Sequence, residues 1–316
     1  MRNARKLTLA LGGGNALGAF EAGALGELIC AGRELETVAG TSIGAINAAL
    51  FLGARDGDPE RALKRFWEEL AQDVFAFSRD EQITRASASA LLFGRPTVSR
   101  SHIGSLLGRV ESLGAMQDQG PLTSTLERLV DFDKLAQSKT RFIVCAVALD
   151  PDEPVTFDSA STPISVFHLL ASAAIPVLFP PVFIGERAHV DGGVALNLPI
   201  EPVLASTRAP FDCIALDPFA LGGKPPTSLG AAGERIQNLI FGMQSERILR
   251  DMKLHRDCRV LHVTYRPPQP ESAAKAFDYS RESIRMRWKA GEDAMRHALR
   301  RCEEKPKENL LRLEQA

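Results

Sequence analysis

The chain has 316 residues, with 38 Lys or Arg against 39 Asp or Glu and a formal net charge of −1. Hydrophobic residues make up 45% and charged residues 24%, alongside 25 Gly and 19 Pro, which excludes disordered, collagen-like and coiled-coil chains. No net positive charge draws the protein onto nucleic acid or an anionic bilayer, so nucleic acid is not an expected partner and any membrane contact would be peripheral, through a local patch.

The length suits two average domains or one large α/β domain with insertions. Five cysteines (Cys30, Cys145, Cys213, Cys258 and Cys302) are widely separated, with neither a C-x-x-C pair nor zinc-type Cys/His spacing. No disulfide framework, metal or cofactor is therefore expected, and the usage fits a reducing, cytoplasmic compartment. No apolar run reaches the roughly 18 residues of a transmembrane helix.

In chain order, Arg2, Arg5 and Lys6 before Leu7–Leu11 imitate a signal peptide, but five residues ending in a glycine cluster read better as a first buried strand entering a tight turn. Further strands are predicted at Glu36–Ala39, Arg141–Leu149, Arg187–Val190, Cys213–Asp217 and Arg259–Tyr265. Helical patterns fall between most of them, at Gly18–Ala31, Ile43–Leu52, Pro59–Ala71 and Ile164–Ser172, so a mainly parallel sheet covered by helices is predicted. Residues 56–139 are mostly polar-helical and read as an insertion or lid. A Gly- and Pro-rich loop at Leu221–Gly230 then leads to a long helix over Leu229–His255 and another after Tyr279. The expected division is an α/β core over 1–220 and a helical C-terminal extension over 221–316 that packs on it. Arg281–Ala316 carries ten Lys or Arg against seven Asp or Glu, interleaved with Ile284, Met286, Trp288, Met295 and Leu299. That pattern describes an amphipathic helix on the domain in preference to a membrane-surface helix.

Gly40-Thr41-Ser42-Ile43-Gly44 fits G-x-S-x-G at a strand–helix junction. A nucleophilic serine needs such a sharp turn to lift its hydroxyl clear of the sheet, with Gly40 and Gly44 letting strand and helix approach. About 40 residues precede Ser42, too few for the strands that come before the nucleophile in the usual α/β-hydrolase. The loop Gly12-Gly13-Gly14-Asn15-Ala16-Leu17-Gly18 follows a strand and opens a helix, so its N–H groups can bind an anion. A pyrophosphate, and with it a nucleotide-dependent oxidoreductase, is disfavoured because the spacing is G-x-G-x-x-x-G and no acidic residue ends the next strand. The alternative anion is the oxygen that develops on a carbonyl under attack, with Gly12, Gly13, Gly14 and Asn15 as the candidate oxyanion hole. Asp191-Gly192-Gly193 ends a later strand; taken alone, an Asp-Gly pair ordinarily just closes a turn. None of His168, His189, His255 or His262 sits in a motif of its own.

Four segments in order then carry a resemblance: the glycine loop; Ala39-Gly40-Thr41-Ser42-Ile43-Gly44-Ala45-Ile46-Asn47-Ala48; Ala171-Ser172-Ala173-Ala174-Ile175-Pro176 with Phe179-Pro180-Pro181; and Val190-Asp191-Gly192-Gly193 with Asn197-Leu198-Pro199. Together they resemble the patatin-like phospholipase family over about Leu7–Ile200. The resemblance implies a three-layer α/β/α fold and a Ser–Asp dyad, with Ser42 as nucleophile and Asp191 as its base. It also implies hydrolysis of fatty-acyl esters of phospholipids or related lipids, of phospholipase A or lysophospholipase type. The apolar stretch Ile175–Phe183 is either a substrate mouth or core packing beneath the site. The family loop usually reads G-G-G-x-(Arg or Lys)-G. Aligned on Gly18, Asn15 replaces the third glycine and Leu17 the cation. Asn accommodates left-handed backbone. Loss of a cation that holds the loop or a head group would weaken catalysis or favour uncharged esters, and it motivates the alternative of a catalytically impaired lipid-binding or regulatory protein.

Overall fold

The computed structural model describes residues 5–101, 115–255, 257–267, 271, 273–304 and 308–314. Arg2 of the signal-like start and residues 102–114 of the expected insertion lie outside the described residues. The chain opens with β1 (Lys6–Leu11), a 3-10 turn (Asn15–Gly18) running into α1 (Ala19–Cys30), β2 (Thr37–Thr41) and α2 (Ile43–Leu52). The insertion follows as α3 (Pro59–Leu70), α4 (Arg79–Phe93), the short strands β3 (Gly94–Arg95), β4 (Ser99–Ser101) and β5 (Gln117–Asp118), α5 (Gly120–Leu129) and α6 (Phe132–Ala136). Next come β6 (Arg141–Ala148), β7 (Glu153–Asp158), α7 (Val166–Ser172), β8 (Val182–Ile184), β9 (Arg187–Asp191), α8 (Ile200–Ser206) and β10 (Phe211–Asp217). The last elements are α9 (Leu229–Asp251), β11 (Cys258–Thr264), α10 (Arg281–Glu303) and β12 (Leu310–Glu314).

Nine strands form one sheet in the order β12-β11-β10-β1-β2-β6-β9-β8, with β7 also paired to β6. From β12 to β6 all neighbours are parallel, whereas β7 and β9 run antiparallel to β6, and β8 antiparallel to β9. The central strands are buried along their length because helices cover both faces, which is why β1 reads as an unbroken apolar run. Alternation still sorts the side chains: Leu9 and Leu11 enter the core under α1, α2 and α10, while Ala10 enters the second core with Val203 and Leu249.

The insertion contains the small antiparallel sheet β3-β4-β5 as well as helices. Residues 221–316, expected as a helical extension, also add β11 and β12 to the central sheet, and α10 lies directly on α1. Contact there is close enough that a Cβ at Gly291 would fall 1.8 Å from the Phe20 carbonyl oxygen. Along α10 the buried positions Ile284, Arg287, Gly291, Met295 and Ala298 form one helical face, so the helix spends its inner face on the domain. Neither β7 nor β12 was legible in the sequence. Each is a partly exposed edge segment whose extended shape depends on pairing with β6 or β11.

Candidate active site

The register of β6 brings the serine and the aspartate together. Thr41 of β2 is paired with Cys145 and Asp191 of β9 with Ala146, so the residue after Thr41 and the last residue of β9 meet beside consecutive positions of one strand. Ser42 Oγ donates to Asp191 Oδ2 at 2.6 Å. Ser42 has φ 55° and ψ −123°, a left-handed conformation rare for a residue with a side chain, and it stands at the N-cap of α2. Its own N–H donates to Ser172 Oγ at 2.8 Å, and that hydroxyl donates to the Cys145 carbonyl at 2.6 Å, anchoring the strained turn to β6. The turn needs small neighbours: a Cβ at Gly40 would lie 2.5 Å from Ala45 N, and one at Gly44 2.5 Å from the Leu11 carbonyl oxygen.

Asp191 is buried, and its second oxygen accepts the Gly193 N–H at 2.7 Å. Burial pushes its pKa up to about 6 from the usual 3.8, against the lowering effect of the Ser42 and Gly193 hydrogen bonds. A carboxylate so desolvated is a stronger base toward a hydroxyl than an exposed one. Gly192 lies against β6, where a Cβ would approach the Cys145 carbonyl oxygen to 2.5 Å. Among the described residues, no histidine takes part in the hydrogen bonds of either residue. His168 bonds to Ser165, and His262 to Asp217.

The glycine loop passes over this pair. A Cβ on Gly13 would fall 3.2 Å from Ser42 Cβ and 2.6 Å from Asn197 Oδ1. Of the four N–H groups expected to face an oxyanion, two are engaged elsewhere: Gly12 donates to Leu216 O at 3.1 Å and Gly13 to Asn197 O at 3.0 Å. The N–H groups of Gly14 and Asn15 have no partner among the described residues, and the chain turns there with Asn15 at φ 53°. The expected donor set therefore contracts from Gly12–Asn15 to its last two members. The loop's backbone needs Gly12 and Gly13 to tie it to β10 and to Asn197.

Three residues here were given no role from the sequence, although Asn197 stood in one of the motifs. Asn197 answers the Gly13 bond with its own Nδ2, donating to Gly13 O at 3.1 Å, so one side chain couples the loop to the turn that carries Asp191. Tyr279, just before α10, is buried and donates its hydroxyl to Asn15 Oδ1. Arg287 of α10 is fully buried and donates to the Ala16 carbonyl at 3.2 Å, while Glu271 at 2.8 Å and Asp278 compensate its charge. Leu17, at the position where the family carries a cation, is buried in the core. A guanidinium from the C-terminal segment holds the same turn. Its signal was a charged residue at a core register position of α10, visible only once the buried face of that helix is known.

Ser42 opens onto a cavity of about 40 Å³ whose walls include Asn15, Arg95, Leu178, Phe179 and Tyr279. Within Ile175–Phe183 the roles divide: Leu178 and Phe179 are buried against the cavity, whereas Val177 and Phe183 are 76% and 67% exposed. Among the described residues, no group of three His, Cys, Asp or Glu side chains is arranged to hold a metal ion. Likewise, no helix among them is long and apolar enough to cross a membrane.

The mainly parallel sheet covered by helices, with a serine at a strand–helix elbow bonded to a buried aspartate under a glycine loop, defines an α/β protein whose family can be stated. A family model described as patatin-like phospholipase matches residues 9–204, and a second, described as patatin phospholipase, matches 234–309. The chain belongs to the patatin-like phospholipase family. Uncharacterised NTE family proteins of Mycobacterium tuberculosis and Mycobacterium bovis are 32% identical over 214 residues, 67% of this chain and 30% of theirs. The chain thus spans under a third of the length of those relatives. Among solved structures, it is similar to VipD from Legionella pneumophila (TM-score 0.40, 14% identity, 91% of this chain and 67% of that one). It is also similar to the type III effector protein ExoU (TM-score 0.44, 13% identity, 96% of this chain and 54% of that one).

Proposed function

We propose that the chain is a serine acyl hydrolase that cleaves fatty-acyl esters of phospholipids or related lipids through a Ser42–Asp191 dyad, with phospholipase A or lysophospholipase type chemistry. The observation that carries this reading is the 2.6 Å hydrogen bond from Ser42 Oγ to a buried aspartate at a left-handed elbow. Asp191 accepts the Ser42 proton as Oγ bonds to the acyl carbon, and the N–H groups of Gly14 and Asn15 receive the negative charge that moves onto the carbonyl oxygen. Collapse breaks the ester C–O bond, and the departing alkoxide takes the proton back from Asp191. Water, deprotonated by the same carboxylate, then attacks the acyl-serine and frees the fatty acid with Ser42 restored. Each preorganised donor of this kind contributes about 100- to 1000-fold in rate.

A cavity of about 40 Å³ has room for a few water molecules and is too small for an acyl chain, so lipid entry requires its walls to part. The surface around the site suits contact with a lipid aggregate. Val177 and Phe183 are exposed there, Val194 follows the base turn, and α9 presents Ile236, Ile240 and Met243 next to Gln244, which bonds to Gly193 O and to Asn197 N.

The test is fluorophosphonate labelling together with fatty-acid release from mixed phospholipid micelles by wild type, Ser42→Ala and Asp191→Asn. Labelling and turnover are expected in wild type and lost in Ser42→Ala, with turnover falling at least about 1000-fold in both variants. No labelling of a folded wild-type protein would favour the impaired, lipid-binding alternative.

A further inference from the structure

Arg95 is the unexplained charge of the site. It ends β3 in the insertion and lines the same cavity as Ser42, among Ile43, Ile46, Phe66 and Leu122. Its Nη2 donates to the Leu70 carbonyl at 2.6 Å, and, with the Gln72 amide oriented so that both its ends are satisfied, its Nη1 donates to that amide oxygen. Its Nε is buried and has no partner. Every acceptor it meets is thus neutral, and no carboxylate among the described residues pairs with it; burial pulls its pKa down, and the neighbouring Tyr279 is itself held neutral by burial. Arg287, the other guanidinium near the loop, has Glu271 and Asp278 for its charge.

An arginine stays protonated, and this one, half-buried with two neutral acceptors and no counter-ion among the described residues, is left with a charge that an anionic ligand would balance. The Nε–H, sealed from solvent while the cavity is closed, is the unpaired donor of a planar fork that can receive two oxygens of one phosphate once the cavity opens to substrate. Because the cavity also holds the nucleophile, that anion belongs to the molecule whose ester is attacked. We propose that Arg95 is a specificity-determining residue that binds a phosphate carried by the acyl-ester substrate, so that phosphate-bearing acyl esters are selected over neutral ones. This inference rests on the hydrolase reading of the site.

The experiment compares lysophosphatidic acid with the monoacylglycerol of the same acyl chain, both below their micellar concentrations. Binding is measured in the Ser42→Ala protein, and kcat/KM in the protein that retains Ser42, each with and without Arg95→Gln or Arg95→Lys. The phosphate ester is expected to be preferred by at least about tenfold in both readouts, the preference to collapse in Arg95→Gln, and part of it to return in Arg95→Lys, which restores the charge without the fork. Equal affinity for the two esters in the Ser42→Ala protein, or a preference that survives Arg95→Gln, overturns the proposal. If Arg95→Gln fails to fold, Arg95→Lys decides: a preference reduced but present supports it, and one left at full strength overturns it. Should wild type neither label nor turn over, the hydrolase reading falls, while the binding arm still reports on Arg95.

Discussion

Replacing Asp191 by Asn tests the physical basis of the dyad, because the site sets catalysis against stability at this residue. The carboxyl is buried with a pKa of about 6, against 3.8 for the ordinary side chain. Only the ionised form can take the Ser42 proton, so kcat/KM of wild type is expected to fall on the acid side with a midpoint near pH 6. At pH 5 it should be about tenfold below its plateau. The same shift has a stability consequence of opposite sense. The folded state holds the proton more tightly than the unfolded chain, so the penalty is absent below pH 3.8, grows as pH rises toward 6, and is complete above it. A separation of about two pKa units corresponds to about 3 kcal/mol. Asn keeps an acceptor for the Gly193 N–H and a donor for Ser42 Oγ while removing the charge. Asp191→Asn is therefore expected to be inactive, yet more stable than wild type by up to about 3 kcal/mol at pH 8, with the advantage shrinking toward pH 4. Urea denaturation of both proteins from pH 4 to 8 measures this. Taking the difference cancels Glu21, another buried carboxyl whose pKa is raised mainly by burial. An acid limb near pH 4, or a variant no more stable than wild type at pH 8, would refute the reasoning.

Three further substitutions probe how the site is held. Asn197→Ala removes the bond to the Gly13 carbonyl, and steady-state kinetics should show kcat about 10- to 100-fold lower, with about 1–3 kcal/mol of stability lost in denaturant titration. Tyr279→Phe deletes only the hydroxyl that reaches Asn15; kcat should fall by about tenfold for about 1 kcal/mol of stability, and an unchanged kcat would separate the C-terminal segment from the glycine loop. Gly291→Ala drives a methyl into the Phe20 carbonyl oxygen, so α1 and α10 must separate. We expect at least about 1–3 kcal/mol of destabilisation by urea titration, with activity falling in parallel because α1 begins at the glycine loop.

Most of the fold, and the serine elbow, were legible because their causes are local. A buried parallel strand has to be an apolar run, so β1, β2, β6, β10 and β11 declared themselves. A strand–helix elbow needs glycines on both sides of its serine, so Ser42 stood out, whereas Asp191, whose Asp-Gly pair alone reads as a turn, was marked only by the family resemblance. The candidate oxyanion donors were legible only as a segment. Which N–H groups remain free depends on Leu216 and Asn197, which reach Gly12 and Gly13 from about 200 residues away, and nothing near the loop records that.

Local pattern therefore established an α/β chain with a serine at an elbow, an aspartate at a strand end and a glycine loop opening a helix, because backbone conformation and solvent burial are imposed residue by residue. Tertiary structure decided the rest. It set the 2.6 Å approach of Ser42 to Asp191 through the register of β6, and it raised the aspartate's pKa by burial. It also brought Tyr279 and Arg287 to the glycine loop, and set Arg95 in the cavity of Ser42 without a counter-ion among the described residues. These are pairwise and environmental quantities: hydrogen bonds, desolvation and charge balance between residues up to 271 positions apart exist only when folding sets them side by side.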